Sequence, residues 1–206
     1  VGAYKKDAGS IIFDGQKREF TSPGEAYQTG ISVIYQETSL IPQLTVLQNI
    51  FLGMEYVRTF LKIIDDKRLM REYHKVCEKL GFRFHPNELA RNLSIAEQKM
   101  VEILKAMVHN ASFIIMDEPT DSLSENEIQH LFTIIRDLKN HQMTVLYITH
   151  YLEEVFQITD KITVLRDGQK VDTVDTNAVT TQDIVRMMVG QEISRSASQT
   201  AKKKEQ

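Results

Sequence analysis

The stretch FIIMDEPTDSL, residues 113–123, decides the fold class because an apolar run leads directly into two adjacent carboxylates and a proline. A short apolar run without alternation is typical of a strand buried on both faces of a parallel sheet. In α/β sheets ligands bind beyond the carboxyl ends of the strands, which is where Asp117 and Glu118 stand. One carboxylate can hold a divalent cation such as Mg²⁺ while the other orients and deprotonates a water molecule. An isolated Asp-Glu pair more often caps the next helix. Other residues near it in the sequence are therefore needed to distinguish a capping role from a role in a ligand site.

Further β-rich runs occur on both sides of this stretch, with helical patterns between them. They cover residues 10–13, 31–35, 144–149 and 162–166. The runs at 31–35 and 144–149 are almost as uniformly apolar as residues 113–116, so all three are predicted to be buried on both faces. From residue 40 to residue 110 the strand pattern is absent, and three segments have helical periodicity. These observations predict an α/β fold with a helical insertion at about residues 40–110.

Local capping and turn patterns support these elements. Ser124 and Glu127 match a capping box at the start of a helix whose apolar residues recur at helical spacing. Ser22 is predicted to cap a short helix that starts at the following proline. Asp167 and Gly168 separate two alternating runs, a pattern that predicts an antiparallel hairpin.

The composition excludes several classes of protein. The formal net charge is -3, from 25 basic and 28 acidic residues, which gives no overall attraction to nucleic acid or anionic lipid. Cys77 is the only cysteine, so a disulfide framework and a CxxC metal site are excluded and a reducing compartment is favoured. The longest apolar runs are far shorter than the roughly 20 residues of a membrane-spanning helix. Any association with a membrane is therefore expected to go through a partner.

Other polar residues stand at positions that suit phosphate chemistry. Ser94 and Glu97 match a second capping box, and the N-terminus of a helix favours anions such as phosphate. Gln36 and His150 each follow an apolar run; a glutamine can bind a Mg²⁺-bound water, and a histidine can hold a γ-phosphate. Each residue alone has an ordinary structural explanation. Their order along the chain, with the acid pair 117–118 among them, is jointly specific.

That order closely resembles the ATP-binding-cassette (ABC) ATPases over about residues 1–190. The carrying stretches are Gln36, LSIAEQ, IIMDEPTDSL and ITH. The stretch QETSLIPQLTVLQNIFLGME narrows the resemblance to one branch of the family. It resembles the first cassette of the tandem-cassette ATPases that energise bacterial importers of monosaccharides such as ribose or galactose. The resemblance implies a P-loop NTPase-like, mostly parallel sheet with an inserted helical subdomain, incomplete at the N-terminus. Residues 191–206 would be a flexible linker or tail.

The resemblance implies roles for the candidate residues. Gln36 would sense Mg²⁺ and nucleotide, and Asp117 would lie on the Mg²⁺ side of the site. Glu118 would be the catalytic glutamate that polarises the attacking water, and His150 would be the switch histidine. The implied cofactors are ATP and Mg²⁺.

The predicted signature motif departs from the family pattern. Ser94 would contact the γ-phosphate of an ATP molecule held by an opposing cassette. The usual Leu-Ser-Gly-Gly-Gln reads LSIAE here, so Ala96 and Glu97 occupy positions that face nucleotide in the family. Ala96 adds a methyl group and Glu97 adds negative charge near phosphate, which predicts weakened rather than lost support. Ser124 replaces the usual aspartate of the D-loop, and this bears on communication between the two nucleotide sites.

The sequence contains no G-x-x-x-x-G-K-[ST] phosphate-binding loop. In the family this loop precedes a segment like VGAYKKDAGSIIFDG, so the chain is predicted to be a fragment without it and to be inactive alone. The implied partners are a transmembrane permease subunit, which residues 40–53 would face, a second cassette and, indirectly, a periplasmic or extracellular sugar-binding protein. The implied location is the cytoplasmic face of the bacterial membrane, as a peripheral protein.

Two alternatives stay open at this point. One is a soluble ABC-type ATPase that acts on nucleic acid or in translation, although the mild acidity and the lack of basic stripes argue against a nucleic-acid partner. The other is a non-catalytic binding module in which the two carboxylates are only structural caps. The effect of Glu118→Gln on ATP hydrolysis would separate an enzyme from such a module.

Overall fold

The computed structural model describes residues 1–54, 57–58 and 63–190. The chain forms two compact units, Val1–Ile148 and Thr149–Gln206. The predicted tail at residues 191–206 lies outside the described residues, and the extent of a single cassette domain over residues 1–190 stays a prediction. No helix within the described ranges is both long and apolar enough to cross a membrane.

The first unit alternates strands and helices, which confirms the predicted α/β class. Ser22 caps the first helix as predicted, since its Oγ accepts from the N–H of Glu25 at 3.3 Å. The next helix has a capping box formed by Thr45 and Gln48. In chain order the elements are β1 (Ile11–Phe13), β2 (Gln16–Arg18), α1 (Pro23–Gln28), β3 (Ile31–Ile34), α2 (Val46–Phe51), β4 (Val57–Arg58), β5 (Ile63–Ile64), α3 (Asp66–Leu80), a 3₁₀ turn (Ala90–Asn92), α4 (Ile95–Val108), β6 (Phe113–Asp117), α5 (Glu125–Asn140) and β7 (Thr144–Ile148).

The centre of this unit is a three-stranded parallel sheet in the order β3-β6-β7. Ile114 and Met116 of β6 are fully buried, and β3 is buried along most of its length. The aromatic rings of Phe132 in α5 and Tyr147 in β7 lie 6.5 Å apart, so α5 packs on one face of the sheet. The crossover from β6 through α5 to β7 agrees with the parallel pairing that the sequence predicted.

The prediction that β7 is buried on both faces is wrong. Leu146 and Ile148 are 47% and 43% exposed, and Thr144 on the same face is also exposed. Val145 and Tyr147, on the face toward α5, are half-buried. Apolar composition indicates that a strand can be covered on both faces, but it does not show that both covering layers are present. Within the described residues β7 has such a layer on one face only.

The predicted helical insertion at about residues 40–110 also holds a short antiparallel pair, β4 and β5, which the sequence did not indicate. Strands of two residues are too short to produce a recognisable alternation, so the sequence pattern could not reveal them. Elsewhere in this segment the described elements are helical, as expected. Among the residues of this segment whose burial is described, Asn49 of α2 is the most buried polar residue, at 1% exposed.

The second unit has its own small core beneath a hairpin. The predicted turn joins its two strands, with Asp167 and Gly168 at φ 51° and 75°, as two-residue hairpins require. The buried apolar residues come from both helices and from the first strand: Val155, Ile162, Val164, Ile184 and Met187. The elements are α6 (Leu152–Ile158), β8 (Lys161–Arg166), β9 (Gln169–Asp175), a 3₁₀ turn (Thr176–Ala178) and α7 (Thr181–Val189).

Candidate functional site

Two of the predicted site segments leave the parallel sheet at the same edge. Ile34 at the end of β3 pairs with Met116 near the end of β6. Because the strands are parallel, Gln36 and the acid pair 117–118 both follow the carboxyl ends of neighbouring strands. This is the edge at which α/β sheets bind ligands.

The acid pair lies in a strained turn. Asp117 is the last residue of β6 and is half-buried. Glu118 has a φ of 45°, a left-handed conformation that costs a non-glycine residue about 1 kcal/mol. Its N–H donates to the carbonyl of Ile148 at 2.9 Å, and the following Pro119 is buried. Backbone and proline therefore fix where the Glu118 side chain starts, a stiffness that suits a group needed at one defined position.

The side chain of Gln36 is oriented by Asp121. Its Nε2 donates to Asp121 Oδ2 at 2.8 Å. An ionised carboxylate can only accept hydrogen bonds, so the amide nitrogen must face Asp121 and the carbonyl Oε1 points elsewhere. The sequence did not single out Asp121, because its pairing with Gln36 joins positions 85 apart in the chain.

The backbone around Gln36 is held by two buried charges of α4. Lys99 donates from Nζ to the carbonyls of Tyr35 and Gln36, the second at 2.8 Å. Glu102 Oε1 accepts from the N–H and Oγ of Ser39, at 2.7 and 2.8 Å. Burial lowers the pKa of Lys99, and the neighbouring Glu102 carboxylate opposes this effect. Neither residue was predicted; their only sequence signal is opposite charge three positions apart on an apolar helix.

The start of α4 has the predicted capping box. The N–H of Ser94 donates to Glu97 Oε2 at 2.8 Å, and the N–H of Glu97 donates to Ser94 Oγ at 3.3 Å. Ser94 and Glu97 are exposed, whereas Ala96 is buried. The Glu97 carboxylate therefore binds a backbone N–H at the helix N-terminus, where a phosphate was expected to bind. A nucleotide role for these three residues stays a prediction.

His150 follows β7 by two residues and belongs to the second unit. It is exposed, and its ring lies 4.0 Å from that of Tyr151 at an angle of 37°. Thr149 orders this turn, since its Oγ1 accepts from the N–H of Tyr151 at 3.0 Å and donates to Glu154 Oε2 at 3.1 Å. The switch role of His150 stays a prediction.

The donors at the sheet edge fit a magnesium ion better than they fit a whole nucleotide. A carboxylate at Asp117 and the outward Oε1 of Gln36 are oxygen ligands of the kind that Mg²⁺ prefers. The phosphates of a nucleotide need a cradle of backbone N–H groups, and the sequence has no phosphate-binding loop to supply it. A metal role for Asp117 and Gln36 and a water-activating role for Glu118 stay predictions.

Comparison with known proteins identifies the family. The model described as ABC transporter matches residues 1–121, so the chain belongs to the ABC transporter family of ATP-binding proteins. It is 43% identical over 194 residues to the galactose/methyl galactoside import ATP-binding protein MglA of Yersinia pestis bv. Antiqua (strain Antiqua). The aligned stretch covers 94% of this chain and 38% of that protein. It is 42% identical over 195 residues, 95% of this chain and 39% of the relative, to a Geobacillus kaustophilus (strain HTA426) protein provisionally named ribose/galactose/methyl galactoside import ATP-binding protein. The chain thus spans less than two fifths of the length of these relatives.

Solved structures agree on the fold. A nucleotide-free ATP-binding cassette from an ABC transporter superposes with a TM-score of 0.75 at 24% identity, over 90% of this chain and 79% of that one. The structure of cbiO1 from Clostridium perfringens, part of the transporter complex cbiONQ, gives a TM-score of 0.72 at 20% identity, over 89% and 72% of the two chains. At these identities the likeness concerns the fold alone. It confirms the cassette fold that the motifs predicted.

Proposed function

We propose that this chain is part of the ATP-binding and ATP-hydrolysing subunit of a bacterial monosaccharide importer. The observation that carries the proposal is the meeting of Gln36 and the acid pair 117–118 at one edge of a parallel sheet, with the Gln36 amide oriented by Asp121. Membership of the ABC transporter family and the names of the sugar-import relatives support it. Those names also favour an importer over a cassette protein that acts on nucleic acid.

The roles follow from the chemistry of each group. Asp117 and the Oε1 atom of Gln36 would hold Mg²⁺, which when bound neutralises charge on the ATP phosphates. Glu118 would accept a proton from the attacking water, and a positioned base of this kind gives about 10²- to 10⁴-fold in rate. His150 would hold the γ-phosphate, and Ser94 would contact ATP bound to a second cassette.

The chain by itself is expected to hydrolyse no ATP. Electrostatic stabilisation by a phosphate cradle carries much of phosphoryl-transfer catalysis, and the sequence contains no such loop. A base at Glu118 cannot replace that stabilisation. The inactivity expected of the isolated chain therefore follows from its sequence and is compatible with activity in a longer protein.

The segment at residues 40–53 is proposed to contact a permease subunit. Ile41 and Leu52 are 39% and 38% exposed. The segment is held firmly by Asn49, whose Oδ1 accepts from the N–H of Ile41 at 2.7 Å. Its Nδ2 donates to the carbonyls of Ile41, Leu44 and Thr45. A stiff surface with exposed apolar groups suits contact with a membrane subunit at the cytoplasmic face, with a sugar-binding protein acting on the far side.

A chimera tests this proposal. The matched 194-residue stretch of the Yersinia pestis relative is replaced by the corresponding residues of this chain. A strain without the native relative then receives the chimera, and galactose uptake and Mg²⁺-dependent ATP hydrolysis are measured. The chimera is expected to restore uptake, and the same chimera with Glu118→Gln is expected to lose it.

A chimera that folds and is present at normal amounts, yet supports neither uptake nor hydrolysis, would contradict the proposal. Hydrolysis that is insensitive to Glu118→Gln would favour the binding-module alternative. Hydrolysis with uptake of ribose but not of galactose would support the proposed importer function and would identify ribose as the transported sugar.

A further inference from the structure

We infer that Lys99 and Glu102 are a positioning pair for the Gln36 segment, residues 35–39. They would hold the loop in the conformation that presents Gln36 to Mg²⁺. This inference rests on the proposed function for its purpose, but the geometry that carries it does not depend on ATP.

The contacts of the two side chains converge on one short stretch. Lys99 bonds to the carbonyls of Tyr35 and Gln36, and Glu102 bonds twice to Ser39. The side chains of Lys99 and Glu102 are only 5% and 4% exposed, and Lys99 Nζ lies 3.8 Å from Glu102 Oε2. Apart from the contact between Lys99 and Glu102 themselves, the hydrogen bonds described for the pair's side chains end on residues 35–39.

Stability alone is a weak reason for such a pair. Removing two charges from water opposes folding, and buried ion pairs can often be replaced by apolar side chains of similar volume without loss of stability. Apolar replacements of Lys99 and Glu102 would still fill the space, but they could not hydrogen-bond to the loop's carbonyl oxygens or to its backbone amide. The specific consequence of Lys99 and Glu102 is therefore the conformation of the loop.

The pair also connects two predicted functional segments. Ser94 caps α4, and Lys99 lies five positions further along the same helix. A helix is stiff over this length, because each turn is fixed by its backbone hydrogen bonds. A shift of the Ser94 end of α4 is therefore expected to move the Gln36 segment with it.

The first test uses the chain as it is, without nucleotide, labelled with ¹⁵N. The double variant Lys99→Met with Glu102→Met keeps side-chain volume and removes both charges. We expect it to unfold within a few degrees of the parent temperature, while the amide of Ser39 exchanges its hydrogen at least about tenfold faster and the side-chain amide signals of Gln36 shift. Lys105→Met is the comparison variant on the same helix, because it removes a charge near Glu102 without removing a described hydrogen bond to residues 35–39. It should change both signals much less than the double variant does.

Conservative variants separate positioning from general packing. Glu102→Gln retains an oxygen that can accept from Ser39 and should restore slow exchange at that amide. Lys99→Gln should shift the Gln36 signals while Ser39 stays protected. These two single variants decide the question if the double variant does not fold. Unchanged Ser39 exchange and Gln36 signals in a folded double variant, or equal changes in Lys105→Met, would overturn the inference.

A second test in the chimera links the pair to Mg²⁺. Lys99→Met should raise the Mg²⁺ concentration for half-maximal ATP hydrolysis several-fold and change the saturated rate less. An unchanged Mg²⁺ requirement in an active chimera would contradict the role in presenting Gln36. An inactive parent chimera would count against the proposed function, whereas the exchange experiment would still judge the positioning pair.

Discussion

Two segments follow neighbouring strands at the same sheet edge, but they are held in different ways. The turn at Glu118 is fixed by a left-handed backbone, a proline and a backbone hydrogen bond to the carbonyl of Ile148 in the adjacent strand β7. The segment at Gln36 is fixed from a distance by Lys99 of α4 and by Asp121. The proposed base is placed by the turn after its own strand and by the adjacent β7, whereas the proposed metal-side glutamine depends on a helix and on Asp121. Changes at Glu118 should therefore affect chemistry, and changes around Gln36 should affect metal dependence.

The largest expected effect is that of Glu118→Gln in the chimera. Glutamine has nearly the same shape but cannot accept the proton, so ATP turnover should fall by about 10²- to 10⁴-fold. Nucleotide binding and the free energy of unfolding should change little. The measurement is steady-state hydrolysis at saturating Mg²⁺, with thermal unfolding as the control for folding. A fall of less than threefold would show that Glu118 is not the base.

A pH effect is expected at the far end of α4, on which the Gln36 segment depends. Burial lowers the pKa of His109 from 6.5 to about 4, with a smaller contribution from Lys105. Above pH 6.5 the ring is neutral in both states. As the pH falls from 6.5 to 4 the unfolded chain binds the proton first, so the free energy of unfolding should drop by up to about 3 kcal/mol from this group.

Chemical unfolding at several pH values checks this expectation. His109→Phe keeps a ring to pack on Tyr27, which lies 4.4 Å away between ring centres, and it cannot bind a proton. The variant should lose less stability than the parent between pH 6.5 and 4. Parallel curves for the two proteins would mean that His109 contributes nothing to the acid response.

A smaller effect is expected from relief of backbone strain at the acid turn. Glu118→Gly should raise the free energy of unfolding by up to about 1 kcal/mol, because glycine adopts a φ of 45° without the Cβ penalty. Asn110→Gly is the matched control at a φ of 55°. Asparagine tolerates this conformation better than glutamate, so its gain should be smaller. Equal gains at both sites would remove the argument that the acid turn is strained.

The smallest effect is expected at Asp121, which orients the Gln36 side chain from the protein surface. Asp121→Ala should change stability by less than about 1 kcal/mol, since both partners are exposed. In the chimera it should raise the Mg²⁺ requirement a few-fold. Asp121→Asn keeps an acceptor for the Gln36 Nε2. Its Mg²⁺ requirement should therefore lie between those of the parent and Asp121→Ala. An Asp121→Ala chimera with the parent's Mg²⁺ requirement would show that the orientation of Gln36 is set elsewhere.

The sequence predicted the elements that depend on local patterns of residues. Uniform apolar runs placed β3 and β6, and side chains that can cap a helix placed the starts at Ser22, Ser94 and Ser124. Parallel pairing then brought Gln36 and the acid pair to one edge, as an α/β order requires.

The sequence could not predict features that depend on distant partners. The bond from Glu102 to Ser39 joins positions 63 apart, and nothing in the spacing of α4 shows that its charges face a loop. The exposed face of β7 was missed for a similar reason, because Leu146 has the same apolar character as the buried Ile114. The composition of a strand does not show which of its faces meets another layer.

Two methionines of the same sheet can locate the bound metal directly. Met116 adjoins Asp117 at the carboxyl edge, and Met143 precedes β7 at the opposite edge, roughly 15 Å away for strands of this length. In the chimera with ¹³C-labelled methionine methyl groups, Mn²⁺ and ATP replace Mg²⁺ and ATP. A metal-nucleotide site at the carboxyl edge should broaden the Met116 signal strongly and the Met143 signal much less. Equal broadening of the two signals, or stronger broadening of Met143, would contradict a metal-nucleotide site at the ends of β3 and β6.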